Sequence, residues 1–172
     1  IKKIRKKKNF LKNTIYLVTT HSDEFINEKK RKKFFLGLFC MSDSKKLSDF
    51  NEKNTLETHW TNRKNIINKY QYLKKVSLKL FKVLSKELNK IHKRSESENY
   101  WKIIIFPWVC YYVYTLFDRW ETISQLKKEK KNTSFFTYEY VSNNKFLQIN
   151  DTLDWVNKSQ TNILNNNLYI KI

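Results

Sequence analysis

A short segment near residue 60 holds residue types that could bind a phosphate- or sugar-bearing ligand. His59, Trp60 and Arg63 lie within five positions, just before a long predicted helix. A titratable imidazole, an aromatic plate and a guanidinium together suit such a ligand, because they offer a proton acceptor, a stacking face and a planar donor fork. The alternative is structural, with His59 serving only as a residue at the start of the helix.

A second candidate group lies on an apolar helix further along the chain. At about 100° per residue, one narrow stripe of this helix contains Trp101, Ile105, Trp108, Tyr112, Thr115 and Arg119. An aromatic stripe usually packs in a core, but a guanidinium at its end needs a partner. Asp118 and Glu121 could pair with Arg119, or a ligand anion could bind it. Both explanations stay open at this point.

Several kinds of site are excluded or disfavoured. Gly37 is the only glycine, so the common glycine-rich phosphate loops cannot form within this segment. Cys40 and Cys110 lack metal-ligand spacing and are too few for a disulfide scaffold, so we predict no metal site. No nucleophile elbow is present. No cofactor is therefore predicted from the residues themselves.

The charge of the chain is large and unevenly distributed. Lys and Arg number 35 against 16 Asp and Glu, a net charge of +19. Residues 1–33 hold 12 basic and 3 acidic residues (+9), and residues 63–94 hold 11 and 1 (+10). This segregation of charge could favour binding to nucleic acid or to an anionic membrane surface. Only five of the basic residues are arginine, which argues against nucleic acid and leaves a solvated surface as the simpler interpretation.

The hydrophobic patterns predict alternating strands and helices, and therefore an α/β fold class. We interpret residues 1–13 as a basic tail and residues 14–172 as a single α/β lobe of a longer chain. The predicted elements are a strand at 14–19, a charged turn at 22–33, a strand at 34–40, a helix at 62–92, a helix at 97–126 capped by Ser95 with Glu98, a strand at 135–141 and a helix at 153–164.

The helix at 97–126 contains fifteen consecutive uncharged residues, 103–117. A membrane-spanning helix needs about 20, and Lys102 and Asp118 bound this run. Pro107 interrupts it and should kink the helix. We therefore predict a helix buried at the centre of a domain, with Trp108 and Tyr112 mostly inaccessible, rather than a membrane span.

Taken in order, the motifs resemble transferases encoded in bacterial gene clusters for O-antigen and other surface polysaccharides. The series of matching segments is Phe35-Leu-Gly-Leu-Phe-Cys40, His59-Trp60-x-x-Arg63, Tyr70-x-Tyr-Leu73, Leu88-Asn-x-Ile-His92, Tyr100-Trp-x-Ile-Ile-x-x-Pro-Trp108, Asp118-Arg-Trp-Glu121 and Leu164-Asn-Asn-Asn-Leu-Tyr169. The chain departs from the family pattern at Leu38, Phe39, Phe106, Ser95 to Ser97, Leu164 and Asn166.

The resemblance implies the Rossmann-like amino-terminal lobe of a two-lobed, GT-B-like glycosyltransferase with long helices. It implies a sugar nucleotide donor bound by the other lobe, and a polysaccharide or lipid-linked sugar acceptor on this one. It also implies a cytoplasmic enzyme, with peripheral contact at the inner face of the membrane. The alternatives are a Lys-rich binding module for nucleic acid or anionic membrane, and an inactive structural remnant.

Within that resemblance, His59 is the candidate general base near neutral pH. Arg63 and Arg119 would hold phosphate or carboxylate, and Asp118 and Glu121 would orient Arg119. The candidate substrate-binding set is completed by Trp101 and Trp108, which would pack the wall of the cleft.

Overall fold

The computed structural model describes residues 14–21, 32–40, 52–137 and 148–172. The predicted basic tail, most of the predicted charged turn and most of the strand predicted at 135–141 lie outside the described residues. The chain divides into two compact units, Ile1–His59 with Arg119–Ile172, and Trp60–Asp118. The single lobe expected over residues 14–172 stays a prediction.

The first unit contains a parallel three-stranded sheet of order β2-β1-β3. Its strands are β1 (Ile15–Val18), β2 (Lys33–Phe35) and β3 (Phe135–Phe136). In the register, Leu17 is opposite Phe34, and Tyr16 is opposite Phe136. β-branched and aromatic residues favour such a sheet because they pack well on a pleated surface. The predicted strand at 14–19 and the mixed α/β class are confirmed.

The sheet lies in the hydrophobic core of this unit. The buried cluster comprises Tyr16, Leu17, Val18, Phe34, Phe35, Leu36, Cys40, Leu56, Ile123, Leu126 and Tyr169. Tyr16, Leu17 and Val18 of β1 are all buried, although successive side chains of a strand point to opposite faces of the sheet. β1 is therefore the central strand in both its hydrogen bonding and its packing.

The second apolar run is a shorter strand than its composition predicted. β2 ends at Phe35, and Leu38–Cys40 form a 3-10 turn. A Cβ atom at Gly37 would lie 2.7 Å from a carbon of the Phe39 ring, so the glycine admits a close approach within its own turn. The strand predicted at 34–40 is wrong after Phe35, because the chain turns here and leaves Leu38 and Phe39 exposed.

The first long helix, α1 (Arg63–Ile91), confirms the helix predicted at 62–92. The side-chain oxygen of Asn62 caps it by accepting from the backbone N–H of Asn65 at 3.2 Å. Among its apolar residues, Tyr70 and Ile91 are exposed. Successive steps of four residues rotate about 40° around the helix, and the buried row follows those steps: Leu73, Ser77, Phe81 and Ser85.

The second long helix, α2 (Glu98–Glu129), contains Pro107 and continues through it. Its cap is Ser97, whose hydroxyl accepts from the backbone N–H of Tyr100 at 3.2 Å. The predicted cap at Ser95 is therefore wrong, since Glu98 begins the helix. The predicted extent of the helix is confirmed within three residues.

The prediction that α2 is buried at the centre of a domain is wrong. Val109 is fully buried, but Ile103 is 81% exposed and Ile104 52%, whereas Trp108 and Tyr112 have intermediate burial. The part of α2 up to Asp118 belongs to a unit whose other helix is α1. In a pair of helices, each helix buries one face against the other. The fifteen uncharged residues of α2 lie on all of its faces, so some of them remain exposed. Among the described residues, no helix is long and apolar enough to cross a membrane.

Two short helices end the chain where one was predicted at 153–164. They are α3 (Thr152–Ser159) and α4 (Asn162–Lys171). The hydroxyl of Thr161 accepts from the backbone N–H of Leu164 at 3.4 Å and begins the second helix. The prediction of one helix fails because a threonine inside the polar tail acts as a cap.

Candidate functional site

Buried polar side chains gather at the carboxyl end of the central strand. Thr19 and Thr20 follow β1 directly, and both are buried. The Thr19 hydroxyl accepts a hydrogen bond from the side-chain amide of Asn166, on α4, at 2.9 Å, and Asn166 is itself fully buried. The Thr20 hydroxyl is buried with no hydrogen-bond partner within the described part of the chain. A buried hydroxyl without a partner is uncommon in native proteins.

Arg119 is held beside this polar group by the same helix. Its Nε–H donates to the side-chain oxygen of Asn165 at 2.8 Å. The amide nitrogen of Asn165 donates in turn to the carbonyls of Ser159 and Thr161, at 2.8 and 2.9 Å. Those two bonds require the amide to point its oxygen at the arginine. The guanidinium is therefore fixed by an amide that is itself fixed by the backbone.

Aromatic rings complete the surroundings of Arg119. Its guanidinium carbon lies 5.6 Å from the centroid of the Tyr169 ring, a distance at which a cation is attracted to the ring face. Phe39 stacks on Tyr169 with centroids 6.5 Å apart. We call Thr19, Thr20, Arg119, Asn165, Asn166 and Tyr169 the Arg119 cluster. Hydroxyl, amide and guanidinium groups together can bind hydroxyls and anions.

Cys40 lies next to this end of the sheet but is not a reactive group. Its thiol donates to the carbonyl of Val18 at 3.3 Å. Burial raises the pKa of Cys40 to about 12, against smaller lowering effects of backbone hydrogen bonds. The nucleophilic thiolate is thus scarce at neutral pH. No group of three or more His, Cys, Asp or Glu side chains that could hold a metal ion occurs among the described residues.

His59 and Glu121, both predicted site residues, belong to the same unit as the Arg119 cluster. Both are half-buried, and the Nε2 atom of His59 is shielded from solvent. The side-chain amide of Gln125 donates to the backbone carbonyl of Glu57 at 3.0 Å. This bond ties the backbone two residues before His59 to α2, one turn beyond Glu121.

Asp118 and Arg63 belong to the other unit. The indole N–H of Trp60 donates to the carboxylate of Asp118 at 2.6 Å, which closes the base of the hairpin formed by α1 and the first part of α2. Lys69 lies 5.3 Å from the Trp60 ring. Arg63 is exposed at the first position of α1. Asp118 therefore has a structural contact that the sequence did not indicate.

The two predicted tryptophans of the cleft wall differ in environment. Trp101 is buried, and its indole N–H donates to the side-chain oxygen of Asn89 at 2.8 Å. Trp108 is half-buried and stacks on Tyr112 with centroids 5.3 Å apart. Arg63 and Arg119 lie in different units, and the role of both in holding phosphate or carboxylate stays a prediction.

The sequence interpretation missed four members of the Arg119 cluster: Thr19, Thr20, Asn165 and Asn166. A signal for them existed. Two threonines follow a buried strand directly, and ligands commonly bind at the carboxyl ends of the strands in a parallel sheet. The three consecutive asparagines 165–167 are also unusual within a helix. Asparagine is unfavourable in a helix interior unless its side chain is hydrogen-bonded.

Comparison with known protein families identifies the chain. The family model described as LIC12162 family transferase matches residues 15–172. The chain belongs to this family. The match begins at the first residue of β1 and includes both units, so the Arg119 cluster and the hairpin are parts of one LIC12162 family transferase. No curated protein and no solved structure matches the chain. The transferase assignment made from the sequence motifs is confirmed.

Proposed function

We propose that this LIC12162 family transferase is a glycosyltransferase of bacterial surface-polysaccharide biosynthesis, and that the chain is its Rossmann-like amino-terminal lobe. The observation that carries the proposal is the Arg119 cluster at the carboxyl end of β1. In open α/β sheets, ligands bind outside the carboxyl ends of the strands. A fixed guanidinium and buried hydroxyl and amide groups at that edge suit a sugar acceptor that carries phosphate or carboxylate.

Each side chain has a role in this proposal. Arg119, oriented by Asn165, binds the anionic group of a polysaccharide or lipid-linked sugar acceptor. Thr20 offers a hydroxyl that no described residue engages, and a sugar hydroxyl would be a suitable partner. Arg63, Trp101, Trp108, Asp118 and Glu121 remain proposed contributors to the acceptor side of the cleft, as the family resemblance implies.

The chemistry needs one group on this lobe that accepts a proton. As the acceptor hydroxyl oxygen forms a bond to the anomeric carbon of the donor sugar, the bond to the nucleoside diphosphate breaks and its electron pair leaves with the phosphate. His59 takes the proton of the acceptor hydroxyl. A histidine is suited to this because its ordinary pKa lies near neutral pH. The sugar nucleotide is a substrate, and the second lobe would bind it.

The test uses an intact family member that retains the residues corresponding to His59 and Arg119. The enzyme is incubated with a panel of nucleotide sugars and an extract of lipid-linked acceptors, and the released nucleoside diphosphate is measured. We expect release with one donor, and a fall of about 10² to 10⁴ in kcat for His59→Gln. Transfer of a different group, such as an acyl group, without consumption of any nucleotide sugar would contradict the proposal.

The same assay distinguishes an active transferase from the alternative of an inactive structural remnant. An inactive structural remnant would fold normally but release no nucleotide, even when the residues of this chain replace the matching segment of an active family member. Activity of that chimera would show that the departures at Leu164 and Asn166 do not abolish function.

A further inference from the structure

We propose that the turn between α1 and α2 is a docking surface for an anionic lipid bilayer. This surface, the hairpin tip, comprises residues 86–104. It lies within the unit Trp60–Asp118 and outside the Arg119 cluster. The proposal goes beyond the transferase chemistry and does not depend on which group the enzyme transfers.

Apolar side chains project from the hairpin tip. Ile91 is 71% exposed, Ile103 81% and Ile104 52%, and Tyr100 is also exposed. Isoleucine is among the residues most often buried, so three exposed isoleucines at one end of a hairpin are unusual. Exposed apolar groups of this kind, with polar surroundings, mark interaction sites.

Basic side chains are exposed in the same segment as these isoleucines. The exposed basic residues of the tip are Lys86, Lys90, Lys93, Arg94 and Lys102. Three acidic residues accompany them: Glu87 pairs with Lys90 at 2.7 Å, Glu96 pairs with Arg94 at 3.5 Å, and Glu98 begins α2. Over the whole unit Trp60–Asp118, 12 basic residues face 4 acidic ones, a net charge of +8. The partner of this surface should therefore be anionic.

The backbone of the tip is fixed, so it presents the isoleucines from a defined position. The side chain of Asn89 accepts from the backbone N–H of Glu96 at 3.1 Å and from the indole of Trp101 at 2.8 Å, and donates to the carbonyl of Glu96 at 2.9 Å. Lys93 has a φ of 51°, a left-handed conformation that is uncommon for a residue with a side chain. A fixed turn loses little conformational entropy on binding.

The combination of isoleucine and lysine favours a bilayer over other anionic partners. Lysine can lay its apolar stem along a membrane surface while its ammonium reaches the headgroups. Nucleic acid would use arginine forks and would gain nothing from exposed isoleucines. In this proposal the contact is peripheral, with the tip inserted at the headgroup level.

The experiment measures binding of the chain to vesicles by co-sedimentation. The vesicles contain phosphatidylglycerol mixed with phosphatidylcholine, or phosphatidylcholine alone. We expect binding only to the anionic vesicles, weakening as salt rises. Two tip variants, I103S/I104S and K90Q/K93Q, should each bind about tenfold more weakly or worse, since they remove apolar insertion and charge respectively.

Matched controls lie on α1, outside residues 86–104. Tyr72 and Val83 are exposed apolar residues of α1, and Lys64 and Lys75 are exposed lysines of the same helix. Y72S/V83S and K64Q/K75Q should keep most of the binding. Circular dichroism of every variant should match that of the wild type, because the substituted side chains are exposed.

Three outcomes would overturn the proposal. Equal binding to neutral vesicles would remove the role of charge. Equal losses in tip and control variants would show diffuse attraction rather than a docking surface. Competition by a short DNA duplex at physiological salt, unaffected by I103S/I104S, would indicate a nucleic-acid module. Transfer to a water-soluble acceptor by the intact enzyme should survive the tip variants, so failure here is distinguishable from failure of the proposed function.

Discussion

Arg119 donates its Nε–H to the side-chain oxygen of Asn165 at 2.8 Å, across 46 residues of sequence. This bond connects the Asp118-Arg-Trp-Glu121 motif to the asparagine-rich end of the chain. The next residue, Asn166, bonds Thr19 at the end of β1. Helix α4 thus brings an arginine of α2 and the carboxyl end of the central strand into one polar cluster, which no single motif of the sequence indicated.

Two adjacent threonines test this description of the cluster. Thr19→Val removes a hydrogen-bond partner of the fully buried Asn166 amide, so we expect it to lower the free energy of unfolding by about 1–3 kcal/mol. Thr20→Val removes a buried hydroxyl without a described partner, so it should be neutral or stabilising. Both are measured by urea denaturation of the chain, and each variant is the volume-matched control of the other.

The binding side of the same pair can be measured with an intact family member. Thr20→Val should raise the acceptor KM although it does not destabilise the fold, because the hydroxyl serves a ligand. A Thr20→Val variant that loses stability as much as Thr19→Val would show that Thr20 is structural. An unchanged KM would remove it from the proposed site.

The sequence predicts the elements of this protein better than their packing. The strand at 14–19 and both long helices follow from β-branched clusters and helical spacing, and the structure has them. The burial of α2 could not be predicted in this way, because apolar content does not say how many neighbours a helix has. Ile103 and Val109 lie on the same uncharged run, yet one is 81% and the other 0% exposed.

Trp101 and Trp108 of α2 should contribute differently to the free energy of unfolding. Trp101 is buried and bonded to Asn89, so Trp101→Ala should cost about 3–5 kcal/mol of unfolding free energy. Trp108 is half-buried, and Trp108→Ala should cost roughly half as much. Thermal or urea unfolding of the two variants side by side measures the difference. A larger loss for Trp108 than for Trp101 would contradict the difference in burial between the two rings.

Cysteine labelling tests the burial at the end of the sheet. Because the pKa of Cys40 is raised to about 12, its thiolate is scarce at pH 8 and alkylation should be slow. Cys110 is only half-buried and should react first with iodoacetamide. Peptide mass spectrometry reports both sites, and unfolding in urea is the control that should equalise them. Rapid native labelling of Cys40 would contradict the packing described for it.

Part of the candidate site was predictable and part was not. Arg119 stood out because a guanidinium at the end of an aromatic stripe needs a partner. One of its partners is Asn165, which the sequence did not indicate, because local spacing shows only residues on the same helix. The indole of Trp60 likewise bonds Asp118 across 58 residues, and such long-range contacts depend on how the elements fold back on each other.

The most direct test of the central claim is the activity of Arg119→Lys in an intact family member. Lysine keeps the charge but cannot reproduce the planar fork that Asn165 orients. We predict an unchanged fold by circular dichroism, and a loss of transferase kcat/KM of at least about tenfold, the scale set by losing a charge-assisted hydrogen bond to the acceptor. An Arg119→Lys enzyme that folds and turns over like the wild type would show that Arg119 is structural and that the acceptor binds elsewhere.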